Sequence, residues 1–299
     1  MGSAADGLPE SGAPADPEAG PVVPRLLLGE LLRRLREGRG ISRAAAGAAL
    51  RASESKIHRL ETGHTRFKLR DVADLCSLYG VTDHAERTTL LGLARQTNQP
   101  AWWEPYHDVV PGWFETYLGV EQAAEVIRGF EIQFIPGLLQ TPDYCREVIM
   151  LAHGDAPGAE IERRVELRMR RQQILYRRRP ARLWAVIDEA ALRRPIGGPA
   201  TMFLQLEHLI EMCDLPQVTV QLLPFGAGGH AGAGGPVTML RLSDPRLPEV
   251  IYLEQLTTAV YPGTADELDY YRHILNRLAV QAEPANATPA ILRQMLREL

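Results

Sequence analysis

The chain has 299 residues, 45% of them hydrophobic, and a net charge of −4, which suits a soluble protein of two domains with sizeable cores. No apolar run reaches the roughly 20 residues of a spanning helix and no basic segment with an apolar core opens the sequence, so no membrane partner and a cytoplasmic location are expected. Cys76, Cys145 and Cys213 are odd in number and far apart, which argues against a disulfide framework and a structural zinc site; no cofactor is expected.

Residues 1–24 are Ala, Gly, Pro and acids, with four acids and no base. Such a segment cannot bury enough surface to offset its ordering entropy, and a disordered acidic tail is expected. Residues 25–98 then carry 14 basic and 8 acidic side chains, against 19 and 25 in the remainder. A basic module joined to an acidic one is the electrostatic footprint of a nucleic-acid reader with a second, non-binding domain. Leu28, Leu31, Leu32 and Leu35 recur at helical spacing, predicting a helix from Leu27 to Glu37 that ends at Gly38 and Gly40. From Ile41 to Gly63 two short helices follow, capped by Ser42 and Ser53 and anchored by Leu50 and Ile57. Small residues between Ala44 and Ala49 allow a close crossing, and the second helix presents Glu54, Ser55, Lys56, His58 and Arg59 to solvent. A loop with Thr65, Arg66 and Lys68, a helix from Leu69 to Tyr79, and a fifth from Asp83 to Arg95 complete this region.

The stretch ISRAAAGAALRASESKIHRLETG resembles the lambda-repressor-type (Xre-family) helix-turn-helix, with Ser42, Gly47, Ser53, Ile57, Arg59, Glu61 and Gly63 in the family's places. It departs at the turn, where Arg51 stands at the usual glycine. The resemblance implies that the second helix enters a major groove of double-stranded operator DNA. By position, Glu54, Ser55 and Lys56 reach base edges and His58 and Arg59 lie nearer the backbone. Ser53, at the helix start, Arg43, Thr65, Arg66 and Lys68 complete the expected DNA-binding set, chiefly through phosphate.

From Gln99 the composition turns aromatic. A linker is expected first, then helices at Trp113–Leu118 and Val120–Val126, a strand at Phe130–Phe134, and a helix capped by Thr141 with Pro142 in its first position. A long arginine-rich helix spans Ala159–Tyr176. Beyond it come a strand turning into a short helix at LWAVIDEAALRR, an amphipathic helix at Met202–Cys213, strands at Val218–Leu223, Val237–Leu242 and Val250–Leu253, and helices at Ala265–Val280 and from Thr288. The runs FIPGLLQTPDYCREVI, RMRRQQIL and VTVQLLPFGAGGHAGAGGP resemble the uncharacterised C-terminal domain of actinobacterial Xre-type regulators. That resemblance implies a transcriptional regulator and a small protein encoded beside it as partner.

The expected fold class is α+β: an all-α, five-helix lambda-repressor-like DNA-binding domain (25–98), then a mixed α/β regulatory domain (99–284) and a C-terminal helix (285–299). The residues singled out for a ligand or partner are Trp113, Phe114, Glu131, Gln140, Tyr144, Arg168, Arg171, Glu189 and His230. Carboxylates with a histidine can do acid–base work, but no Gly-x-Ser-x-Gly, His-Glu-x-x-His or phosphate-loop lysine accompanies them. The glycine-rich run around His230 leads to Pro236 and a strand, which reads as a flexible hairpin connection. The resulting expectation is a non-enzymatic, homodimeric regulator that senses a small-molecule effector or a small protein. An antitoxin-like protein that neutralises its small neighbour is the alternative, and an enzyme is the less favoured one.

Overall fold

In the computed structural model, which describes residues 20–299, the first part of the chain forms α1 (Val22–Gly38), α2 (Arg43–Ala49), α3 (Glu54–Glu61), α4 (Leu69–Leu78) and α5 (His84–Gln96). The caps are those the sequence announces. Ser42 accepts from the Ala45 amide at 3.1 Å, Ser53 from Lys56 at 3.2 Å and Asp83 from Glu86 at 2.8 Å, each satisfying an amide that the helix start leaves free. Leu28, Leu32, Ile57, Leu60, Phe67, Val72, Leu75 and Tyr79 make the core. Two glycines set its tightness. A side chain at Gly29 would meet the Leu60 and Glu61 carbonyl oxygens at 2.6 Å, and one at Gly47 the Ala52 carbonyl oxygen at 2.9 Å.

α1 begins five residues earlier than its leucine pattern predicts. Pro24 fits because the first helical turn has no use for its missing N–H, and Val22 is 1% exposed. It packs on the second unit, where a side chain at Gly119 would collide with the Val22 Cγ2. Residues 22–24, expected in the tail, are therefore helical; the rest of that expectation, for residues 1–19, lies outside the described residues.

The second unit comprises α6 (Gly112–Ala123), β1 (Ala124–Glu131), α7 (Pro142–His153), α8 (Gly158–Arg171), β2 (Arg182–Asp188), α9 (Glu189–Arg193), α10 (Gly198–Cys213), β3 (Val218–Leu223), β4 (Val237–Leu242), β5 (Val250–Glu254), β6 (Ala259–Val260), α11 (Ala265–Gln281) and α12 (Thr288–Glu298). The six strands run in the order β3-β2-β1-β4-β5-β6. β1, β2 and β3 are parallel and the remaining pairs antiparallel. Alternation along the strands builds two cores. Leu183, Ala185 and Ile187 face the layer of α6, α10 and α12, whereas Phe130, Val186 and Met239 face α11 through Leu275 and Leu278. The whole is α+β, an all-α unit followed by a mixed α/β unit.

Several expectations are corrected. The predicted helix at Val120–Val126 and strand at Phe130–Phe134 give way to one helix ending at Ala123 and a strand from Ala124 to Glu131. Central pairing with β2 and β4 on both sides overrides the local helical reading. The linker is packed: Trp103, Tyr106, Val109 and Val110 are buried in the second core. The C-terminal helix belongs to the same unit, burying Leu292 and Met295 there while Thr288 Oγ1 donates to the Val220 carbonyl at 2.8 Å. The glycine-rich run is no hairpin, because β3 and β4 are separated by β2 and β1 in the sheet; it crosses over their ends, with Gly232 against the Phe130 ring. The arginine-rich helix ends at Arg171 and continues as a 3-10 turn, Gln172–Leu175.

Candidate nucleic-acid interface

The turn between α2 and α3 has the geometry of its motif in spite of its sequence. Arg51 has φ 52°, the only positive value at a non-glycine among the described residues, so it occupies the left-handed conformation that usually falls to glycine. The Arg51 and Ala52 amides donate to the Ala48 and Gly47 carbonyls at 3.0 and 2.8 Å, closing the end of α2. At the other end of α3 a buried ion cluster fixes the helix. Arg36 Nε and Nη2 donate to the two Glu61 oxygens at 2.5 and 3.0 Å, Arg43 Nε donates to Oε2 at 3.0 Å, and Arg36 Nη1 donates to the Ile41 carbonyl at 2.8 Å. Glu61 thus joins α1, α2 and α3, the physical reason for an acid at that motif position.

The predicted contact residues divide into two groups. Ser53, Glu54, Ser55, His58 and Arg59 stand exposed on one face of α3, and Arg66 and Lys68 are exposed in the following loop with Thr65 half-buried between them. Lys56 and Arg43 do not stand free. Lys56 Nζ donates to Asp71 Oδ2 of α4 at 2.7 Å, and Arg43 is held by Glu61. The sequence placed both on DNA; the structure gives both a structural partner, and the signal for Lys56 was only Asp71 at the first turn of the next helix. The N-terminal end of α3, its amides and Glu54 and Ser55, is the part free to meet base edges.

In the second unit the structure gathers seven of the nine residues singled out for a ligand or partner. Arg171 is bidentate to Glu121 at 2.7 and 2.8 Å, and Tyr117 OH donates to the same carboxylate at 2.8 Å. The Arg171 guanidinium lies over the rings of Phe114 and Tyr117, 5.2 and 5.4 Å from their centroids. Arg168 Nη1 donates to Gln140 Oε1 at 2.8 Å, and Gln140 Nε2 to the Ile135 carbonyl at 2.7 Å; the Ile135 amide donates to Tyr144 OH at 3.2 Å. Glu131, at the end of β1, shares this neighbourhood. Burial first, then the nearby Glu254 charge, push its carboxyl up to about 8, with Arg168 opposing. Trp113 packs edge-on against Phe114, their centroids 5.6 Å apart.

Glu189 and His230 lie apart from that cluster. Glu189 accepts from the Phe225 amide at 2.8 Å and from Arg193 Nε at 2.6 Å. His230 rests edge-on against Phe130 with Nε2 3.8 Å from Asp188 Oδ2. The arginines of α8 are mostly tied inward or sideways, Arg163 to Asp108 at 2.7 Å, Arg164 to Glu160 at 2.6 Å and Arg171 to Glu121. Sequence reading missed Asp71, Glu121, Tyr117 and Tyr252, whose hydroxyl donates to Glu254 at 2.8 Å; all are partners brought in by tertiary packing. Among the described residues no helix is long and apolar enough to cross a membrane.

Two family models match the chain: a helix-turn-helix domain over residues 27–90, and the domain of unknown function DUF5753 over residues 114–294. No curated protein and no solved structure matches it.

Proposed function

Because the chain belongs to the family of proteins carrying the domain of unknown function DUF5753, here behind a helix-turn-helix domain, we propose that it is a sequence-specific transcriptional regulator whose C-terminal domain receives the signal. The observation that carries the DNA-reading half is the solvent face of α3. Its start is capped, its end is locked by Glu61, and Glu54, Ser55, His58 and Arg59 project outward from it. One such helix reads only a few base pairs, so a homodimer on paired half-sites supplies the affinity. The C-terminal domain is read as a receiver without turnover, since Asp188 serves as a helix-start acceptor and Glu189 as a loop acceptor and Glu121 neutralises Arg171. Its input is a small-molecule effector or a small neighbouring protein; the antitoxin-like alternative would use the same protein contact.

Selection of bound sequences from a random duplex library by the full-length protein tests the reading. A short dyad-symmetric site is expected. Ser55→Ala with Glu54→Ala should relax sequence preference at a few positions, each worth about 1–3 kcal/mol. Arg66→Ala should instead weaken all sequences alike and lower the salt slope by about one. An unchanged selected site in the α3 double variant would remove α3 from the interface.

A further inference from the structure

Between the two units lies a cleft of about 850 Å³ bordered by Arg25 of α1, Arg66 of the α3–α4 loop, Trp102, Glu104, Glu115 and Arg170 of α8. Three arginines converge on it from three separate elements. Arg170 stacks over Trp102 and Tyr106, with its guanidinium 5.3 and 5.9 Å from their ring centroids, whereas Arg163, Arg164 and Arg171 of the same helix are ion-paired. Among the described residues the Arg25 side chain makes one hydrogen bond, from Nε to the Pro21 carbonyl at 3.3 Å, and its guanidinium pKa is lowered by burial and by the charge of Arg66, with Glu115 opposing. The buried Trp102 Nε1 has no acceptor among the described residues. Clustered guanidinium groups with open donors are donors awaiting an oxyanion. Glu104 and Glu115 on the same walls offer carboxylate acceptors, which suits a ligand whose anion is attached to a body bearing hydroxyl or amino groups. The volume falls within the range of small-molecule sites.

We propose that this cleft is the effector site of the regulator, that its ligand is a phosphomonoester on a hydroxylated body, a sugar phosphate or a nucleotide, and that the phosphate competes with DNA for Arg66. The inference rests on the regulator reading above for its second half only. Arg66 sits in the loop that follows the recognition helix, and His64 of that loop packs edge-on against Tyr261 of the second unit, with centroids 6.2 Å apart. A phosphate in the cleft draws Arg66 toward Arg25 and Arg170 and removes one contact to the DNA backbone. By linkage, DNA and ligand weaken each other by the same factor.

Calorimetric titration of the full-length protein without DNA, using adenosine 5′-monophosphate, glucose 6-phosphate and inorganic phosphate, tests the site itself. At least one organic phosphate should bind more than about tenfold tighter than inorganic phosphate, and Arg170→Ala should weaken it by roughly tenfold or more, the effect of losing one charge-assisted contact. Which of the two binds separates nucleotide from sugar phosphate. Should Arg170→Ala fail to fold, Arg25→Gln carries the same expectation from the opposite wall. No heat with any of the three, equal binding of inorganic phosphate, or wild-type affinity in the folded variants would overturn the site. Anisotropy with a library-selected duplex then reads the competition: saturating ligand should weaken wild-type DNA binding several-fold and leave Arg170→Ala unaffected. Equal DNA binding with and without ligand overturns the competition. A protein that binds the phosphate but no DNA overturns the regulator reading and leaves the site standing.

Discussion

Glu61→Gln removes one charge from the cluster that locks the recognition helix and changes almost nothing else in shape. Arg36 and Glu61 are each 6% exposed, and the guanidinium is bidentate to the carboxylate. Breaking a buried pair by removing one partner costs about 3–5 kcal/mol, because the remaining charge stays desolvated. Arg36 retains the Ile41 carbonyl and an exposed neighbour, Glu37, at 3.2 Å, which places the cost near the lower end, about 3 kcal/mol. For a domain of this size 1 kcal/mol moves the midpoint by about 4–8 °C, so the helix-turn-helix unit should melt at least about 12 °C earlier. All four tryptophans, Trp102, Trp103, Trp113 and Trp184, lie beyond residue 98. Far-ultraviolet circular dichroism should lose helix at this lower midpoint together with a change at Trp102 and Trp103, which border the first unit, while Trp184 in β2 reports only the later melting of the second unit. Arg43→Ala, at the cluster's exposed rim, should cost less than about 1 kcal/mol, and Arg36→Met with Glu61→Leu should recover most of the loss, since no charge is left uncompensated. A shift below about 4 °C for Glu61→Gln would show that water reaches the pair and would refute the role of the motif glutamate as a buried lock between the three helices.

Arg51→Gly should stabilise the same unit by about 0.5–1 kcal/mol, because relief of the left-handed strain exceeds the added entropy of the unfolded glycine; urea titration checks it, and a loss would mean that the Arg51 side chain makes a contribution of its own. Glu131→Gln should flatten the pH dependence of the C-terminal unit. The Glu131 carboxyl titrates at about 8 in the fold against 4.5 ordinarily, so between those values the folded chain holds a proton that the unfolded chain has released. Stability is complete below about 4.5, falls as pH rises to about 8 and is level above, a total on the order of a few kcal/mol. The variant should then outlast the wild type at pH 9, and parallel melting curves from pH 5 to 9 would rule the protonated carboxyl out.

Local signals carried the first unit almost completely, since helix caps, leucine spacing and a motif with fixed spacing are all short-range. Ser42, Ser53 and Asp83 act as their sequence positions suggest. Strands β3, β4 and β5 were legible because turn residues bracket β-branched runs. β1 was not: the segment from Val120 carries both helical and strand patterns, and its fate depends on β2 and β4, more than 50 residues away. The interface showed the same divide. Exposure of Glu54, Ser55, His58 and Arg59 follows from helical phase alone, but the capture of Lys56 by Asp71 and of Arg43 by Glu61 depends on how helices cross. In the C-terminal unit, residue types suggested Arg171 and Glu131 but could not pair Arg171 with Glu121, because nothing in the sequence relates residues 50 apart.

Least legible was the contact between the units, and it bears most directly on regulation. Val22 fits against Gly119 only because α6 has no side chain there, and seven residues along the same helix Gly29 fits under the last carbonyls of α3 for the same reason. Seven residues of helix span about 10 Å, so one rigid segment touches both the C-terminal core and the recognition helix. Neither contact has slack: a methyl group at either glycine would fall within 2.6 Å of its neighbour. A displacement of α6 must therefore either move α1 as a body or part it from α6. In the first case the end of α3 moves with it, since Arg36 of α1 holds Glu61. Arg25, on the segment between those two contacts, lines the cleft proposed for the effector. Ligand and DNA would thus act on the same helix from its two ends, which gives the C-terminal domain a physical route to the DNA that does not require it to touch DNA.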